Sequence, residues 1–135
     1  MLKNIFMHSG YLEKALDASW LRNEVIANNI SNVDTPNFKS SRVEFESALK
    51  DAFENSGIKM KKTDKKHMDM QDVGAHDLKP SVVKKVNTAA RMDGNNVDIE
   101  TEQLDMVKNV IYYNLLIQKI GKEFGRIKTA INEGK

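Results

Sequence analysis

The chain has 135 residues, 40% hydrophobic and 30% charged, with 21 Lys and Arg against 19 Asp and Glu for a formal net charge of +2. That length fits one folding unit, the near-balance of charge gives no bulk attraction for nucleic acid, and the absence of Cys removes disulfides, thiol catalysis and Cys-based zinc sites. Five Phe, three Tyr and one Trp supply few large anchors, so the core is expected to be thin and to rest on aliphatic residues and Met.

The N-terminal stretch from Met1 to Gly10 carries Lys3 but neither a continuous apolar run nor a small-residue cleavage site, unlike a cleaved secretory signal. Nowhere is the chain apolar for the ~20 residues that a bilayer span needs. The expectation is a soluble chain, or one that leaves the cytoplasm without a cleaved signal peptide.

The first periodicity runs through Leu12, Leu16, Ser19, Asn23, Ile26, Ile30 and Val33, with spacings alternating four and three. Such a seam predicts a helix that packs against another. Its middle is polar at Ser19 and Asn23, a way of fixing register and partner, and Leu21 and Val25 give a second face that also wants cover. Pro36 biases Thr35 away from helical geometry and Asn28, Asn29, Asn32 and Asp34 tolerate turns, so the helix should end near Asn32. Downstream, Phe45, Leu49 and Phe53 recur every four residues among Glu44, Glu46, Lys50 and Asp51, which predicts a short amphipathic helix.

From about Asn55 to Asn96 the pattern dissolves into Lys, Asp, Gly and Ser with scattered Met, too little apolar surface to offset chain entropy. This reads as a mobile or irregular insert in which Val82, Val83 and Val86, introduced by Pro80 and Ser81, form a short extended piece. After the turn-forming run Asp93-Gly94-Asn95-Asn96, Asp98 is suited to cap a helix, and Glu100 and Glu102 suit its positive end. Met106, Val110, Tyr113, Ile117, Ile120, Phe124, Ile127 and Ile131 then alternate four and three throughout, with Lys122, Arg126 and Lys128 toward the C-terminal end. A second row, Leu104, Val107, Ile111 and Leu115, lies off that seam. At ~1.5 Å per residue the seam runs on the order of 38 Å, longer than a chain of this size easily covers alone. Pairing the two terminal helices covers too little apolar surface to offset the ordering of both backbones, so the ends are expected to firm up when neighbours cover the extra faces.

The fold class expected is therefore mainly α: long N- and C-terminal helices pairing as an antiparallel, coiled-coil-like unit around a flexible, partly extended middle. The divisions are residues 1–38 (helix and Asn-rich loop), 39–55 (short helix), 56–97 (insert) and 98–135 (second long helix).

Ala27-Asn28-Asn29-Ile30-Ser31-Asn32-Val33-Asp34-Thr35-Pro36-Asn37-Phe38-Lys39 resembles the signature of the bacterial flagellar rod and hook family and stands where that family has it. Asp93-Gly94-Asn95-Asn96-Val97-Asp98, the long helix after it and Lys128-Thr129-Ala130-Ile131 are similar to a proximal rod member, as is the chain length, and Thr63 with His67 resembles a weaker element between. Asn37 stands where hook and distal rod relatives usually carry Gly, which fits the proximal branch, and Ser31 replaces a frequent Ala. The resemblance covers essentially the whole chain, most strongly residues 10–40 and 93–131.

The resemblance implies a structural protein rather than an enzyme, without cofactors. It implies export unfolded through the flagellar type III channel and polymerisation in the periplasm as the first part of the rod. It implies partners as well: copies of itself, the adaptor FliE, the rod proteins FlgC, FlgF and FlgG, and the MS ring as a further contact. The assembly residues it implies are the seam residues Leu12, Leu16, Asn23, Ile26, Ile30 and Val33, the eight of the C-terminal seam, and the loop residues Asn28, Asn29, Asn32, Thr35, Pro36 and Phe38. Phe45 and Leu49 resemble the Phe-x-x-x-apolar element by which early export substrates engage the export gate; plain packing of an amphipathic helix accounts for the same spacing.

Other chemistry has weak claims. His8, His67 and His76 are scattered without carboxylates at ligand spacing, so surface histidines explain them better than a metal site. Asp93, Asn95, Asp98 and Glu100 depart from an EF-hand in the early Gly94 and the missing distal Glu. Lys59, Lys61, Lys62, Lys65 and Lys66 form a basic cluster without interleaved aromatics, which reads as a solvated loop. The alternative function is a cytoplasmic coiled-coil adaptor or regulator using that basic loop. No nucleophile and base pair supports a hydrolase.

Overall fold

The computed structural model describes residues 2–56, 78–86 and 92–132. The elements follow as α1 (Leu2–Ser31), β1 (Ser41–Glu44), α2 (Glu46–Ser56), β2 (Ser81–Lys84) and α3 (Ile99–Asn132). The architecture is mainly helical, and the two long helices pack on each other in opposite directions, with Asn109 of α3 beside Ser19 and Asn23 and Glu102 beside Asn29.

α1 stops where its own side chains begin to satisfy its last carbonyls. Ser31 Oγ donates to the Ala27 carbonyl at 2.8 Å, and Asn32 Nδ2 donates to that of Asn28 at 2.8 Å. Such bonds compete with continuation of the helix, and Pro36 lies just beyond. α3 starts at a side-chain cap: Asp98 Oδ1 accepts from the Glu100 amide at 3.1 Å and Oδ2 from the Thr101 hydroxyl at 2.7 Å. Those donors hold the Asp98 carboxyl below its ordinary value. Glu100 and Glu102 in the first turn complement the positive end of the helix.

β1 and β2 pair antiparallel, Ser41 opposite Lys84 and Glu44 opposite Ser81. β2 takes in Val82 and Val83 of the extended piece expected at Val82, Val83 and Val86, and Val86 lies in a turn beyond it. β1 was not expected, because its alternation is carried by Val43 and Phe45 alone, over too short a span to compete with the helical spacing that follows. Phe45 precedes α2, and its side chain is buried with Tyr11, Ala15, Ala18, Val43, Leu78 and Leu116 in one small core, flanked by Leu21, Val25, Ala48 and Leu49. The core joins α1 to the strand and α2 on one side and to α3 on the other. Arg22 on α1 and Glu46 on α2 form an ion pair across the first of these contacts.

Of the stretch read as an irregular insert, the described parts are anchored: Leu78 and Val97 are buried, and β2 is zipped to β1. The Lys59 to Lys66 cluster, Thr63, His67 and His76 lie outside the described residues.

The face of α3 that turns inward is not the most apolar one. Buried and half-buried positions run Glu102, Met106, Asn109, Tyr113, Leu116, Ile120, Glu123 and Ile127. Met106, Tyr113, Ile120 and Ile127 belong to the expected seam, but Asn109, Leu116 and Glu123 replace Val110, Ile117 and Phe124, a turn of one position. The polar middle of α1 is the reason. Asn109 Nδ2 donates to the Ser19 carbonyl and to Asn23 Oδ1, both at 2.8 Å, while Ser19 Oγ donates to Asn109 Oδ1 at 3.0 Å. The buried Ser19 and half-buried Asn23 need polar partners, and Asn109 at this level supplies them. Meeting that demand leaves Ile117 45% and Phe124 60% exposed, with Val110 and Ile131 also outside.

Candidate functional site

The two sequence motifs, 63 residues apart at Asn32 and Asn95, meet in space. Asn95 is the centre of the contact and has no solvent exposure at all. Its Nδ2 donates to the carbonyls of Asn32, Val33 and Thr35 at 3.0, 2.9 and 2.9 Å, so the two amide hydrogens are shared among three acceptors at the end of α1, of which those of Asn32 and Thr35 also accept the Thr35 and Phe38 amides. Its Oδ1 accepts from the Val97 amide at 2.7 Å, and its own amide donates to Asp93 Oδ1 at 3.1 Å.

The backbone around it is shaped to allow this. Gly94 has φ +78°, and a Cβ there would stand 2.6 Å from Asn37 Oδ1. Asn37 itself is left-handed at φ 59°, a conformation Asn tolerates, and its amide donates to the Asp93 carbonyl at 3.0 Å. Lys39 Nζ donates to the Gly94 carbonyl at 2.8 Å. Asn96 ties the clasp to the sheet, accepting from the Ser40 amide at 2.7 Å and donating to the Lys85 carbonyl at 2.8 Å.

Asn29 is a second anchor. Its Oδ1 accepts from the Ser41 amide at 3.0 Å, and its Nδ2 donates to the Ser41 carbonyl at 2.8 Å and to Glu102 Oε2 at 3.1 Å. One side chain thus joins α1, β1 and α3. Among the other signature residues, Asn32 accepts from Thr35 Oγ1 at 3.2 Å, Phe38 is half-buried, and Asn28, Thr35 and Pro36 are exposed. On α1, Ile26 is buried and Leu12, Leu16, Asn23, Ile30 and Val33 are half-buried. Phe45 is buried and Leu49 half-buried.

What this arrangement does is hold the backbones of the two motifs together. Among the described residues no group of His, Cys, Asp and Glu is placed to hold a metal ion, and no buried side-chain polar atom lacks a partner. A groove of about 530 Å³ between α1, β1 and α3 is lined by charged and apolar side chains, among them Arg22, Arg42, Lys108, Glu102, Val25 and Tyr112. Outside the core the surface carries an apolar row along α3, at Leu104, Val107, Ile111 and Leu115, and Trp20 on α1. No helix among the described residues is long and apolar enough to cross a membrane.

The chain that forms this clasped pair of long helices is similar to known proteins over most of its length. A family model for flagella basal body rod proteins matches residues 12–39. The flagellar basal body rod protein FlgB of Bacillus subtilis is 36% identical over 124 residues, covering 92% of this chain and 92% of the relative. The chain belongs to the FlgB family. The FlgB protein of Borrelia hermsii is likewise 36% identical, covering 95% of this chain and 98% of the relative, and that of Salmonella typhimurium is 25% identical with 92% of each covered. Membership in the FlgB family carries a structural role in the rod and a location in the flagellar basal body.

The clasp residues Asn95, Asn96 and Lys39 and the buried Asn109 were not singled out from the sequence as contacts. The available signal was the pair of unmatched polar residues Ser19 and Asn23 in an otherwise apolar seam, which calls for a polar residue on the partner helix.

Proposed function

We propose that the protein is a structural subunit of the proximal rod, exported unfolded through the flagellar type III route without a cleaved signal peptide and built into the periplasmic rod by packing of its terminal helices. The observation that carries this reading is the apolar surface left outside the folded chain: Leu104, Val107, Ile111 and Leu115 on one side of α3, with Val110, Ile117 and Phe124 on another. Large apolar faces on an otherwise charged helix mark association surfaces. Their partners in this reading are copies of the chain, FliE, and the rod proteins FlgC, FlgF and FlgG, with the MS ring below.

The burial of Phe45 bears on export. A receptor that reads Phe45 and Leu49 can do so only while the chain is unfolded, since the folded core encloses the Phe ring. Export and assembly therefore use different states of the same residues. Deletion of the gene from a motile cell tests the proposal: rods are absent from purified basal bodies and swimming stops, and the unaltered gene restores both. Intact rods in the deletion strain are the result that refutes it.

A further inference from the structure

The two long helices present outward stripes of opposite charge, and the rod-subunit reading above gives them a use. On α1, Glu13, Asp17, Trp20 and Glu24 are all exposed and follow one another at spacings of four, three and four, so they form one straight row. Trp20, 62% exposed, sits among three carboxylates. On α3, one flank of the helix carries Lys108, Ile111, Leu115 and Lys119, again all exposed, with Lys122 continuing the row, and Lys108 also borders the groove beside α1. Lys108 has an exposed partner in Asp105 at 3.1 Å, an arrangement too solvated to hold it.

We propose that these stripes dock on each other between copies: the acidic Trp20 row of one α1 lies on the basic, apolar flank of the next copy's α3. Charge decides against the alternatives. Two α3 rows face to face would set Lys108, Lys119 and Lys122 against each other, and two α1 rows would oppose carboxylates. The contact is therefore between unlike faces, head to tail, which is the kind that generates rings and filaments rather than closed dimers.

Spacing fits as well. Eleven residues separate Glu13 from Glu24 and eleven separate Lys108 from Lys119, about 16 Å of helix in each case. Copies related by rotation about an axis along the helices present α1 antiparallel to the neighbour's α3, as within the chain. In that direction Glu13 meets Lys119 and Glu24 meets Lys108 simultaneously, and Trp20 falls level with Tyr112, between Ile111 and Leu115. The aromatic ring and the aliphatic side chains supply the apolar contact, while the flanking ion pairs select partner and register.

The test replaces the chromosomal gene in a motile cell. Lys108→Glu with Lys119→Glu is expected to lower the protein recovered in basal bodies at least tenfold and to stop swimming, with secretion and the helical content of the purified variant unchanged. Adding Glu13→Lys and Glu24→Lys to the same chain restores recovery to within twofold. Undiminished recovery of the first variant, or no recovery in the second, overturns the proposal. A second measurement mixes Asp17→Cys chains with Leu115→Cys chains, which stand level in this register. A disulfide joining one of each supports the contact; like-with-like dimers, or no disulfide in assembled rods, overturn it. Loss of rods and swimming on gene deletion stands apart from these outcomes, so the contact can fail while the rod reading survives.

Discussion

Replacing Asn95 with Ala should be the most damaging small change in the loop region. It removes a fully buried amide that donates to three carbonyls and accepts from the Val97 amide. Each net hydrogen bond is worth about 1 kcal/mol and a polar group left buried without a partner costs about 1–3 kcal/mol. Asn32 and Val33 are half-buried and Thr35 is exposed, so water reaches part of what is lost, and the total comes to about 3 kcal/mol. For a chain of this length that lowers the melting midpoint by on the order of 10 °C. Asn95→Asp, of equal size, should cost more, because a carboxylate oxygen then faces the three carbonyls where a donor stood. Urea unfolding followed by far-ultraviolet circular dichroism measures both. If Asn95→Ala falls within about 0.5 kcal/mol of the parent, the typical scatter of a neutral surface change, the clasp does not hold the two motifs together and the reasoning is wrong.

Gly94→Ala meets both a left-handed backbone and a 2.6 Å approach to Asn37 Oδ1, so it should cost about 1–2 kcal/mol in the same assay. Asn109→Leu leaves the Ser19 hydroxyl and Asn23 without their partner and should destabilise by about 1–3 kcal/mol; adding Ser19→Ala recovers stability while loosening register, visible as several disulfide pairings between engineered cysteines on α1 and α3 instead of one. For Glu46, partial burial raises the carboxyl, but the Arg22 hydrogen bond, backbone donors and the Arg22 charge outweigh it, so the folded value lies below the ordinary 4.5. Asp98 is lowered from 3.8 by the Thr101 hydroxyl and the Glu100 amide. Both groups release protons more readily when folded, so their contribution is complete above those ordinary values and is lost as pH falls through the folded ones. Helical content should therefore decline on acidification below about pH 4.5, and less steeply in Glu46→Gln. Ile117→Asp or Phe124→Asp, placing charge on exposed apolar positions, should leave secretion intact and abolish recovery in basal bodies; equal loss of secretion counts against a role confined to assembly.

Long-range periodicity and capping made the helical skeleton readable. The spacing through Leu12 to Val33, the turn chemistry around Asn32 to Pro36 and the cap at Asp98 correspond to α1, its end and the start of α3. β1 escaped because a strand of four residues, Ser41 to Glu44, offers too few alternations to stand against the neighbouring helix pattern. The inward face of α3 escaped for a different reason. Counting apolar residues favours Val110, Ile117 and Phe124, whereas the orientation is decided by what Ser19 and Asn23 need across the interface. The clasp was half legible: its segments carried the family resemblance, but nothing local to Asn95 says that its amide reaches back 60 residues or more to the end of α1.

The polar contacts and the exposed stripes form one device when taken along the helix axis. The clasp sets where α3 begins relative to the end of α1, and Asn29 with Glu102 and Asn109 with Ser19 hold that offset through the next turns. An apolar pair alone could slide by one heptad at little cost, since Met106, Tyr113 and Ile120 recur at that interval. A slide would leave Asn109 and Ser19 buried without partners, and it would also shift Lys108 and Lys119 by about 10 Å relative to Glu13 and Glu24. Unlike stripes can then match between neighbours only if every copy carries the same internal offset. Polar residues inside the pair thus trade apolar burial for a fixed axial scale, and the apolar side chains they displace, Ile117 and Phe124 among them, are left exposed on α3.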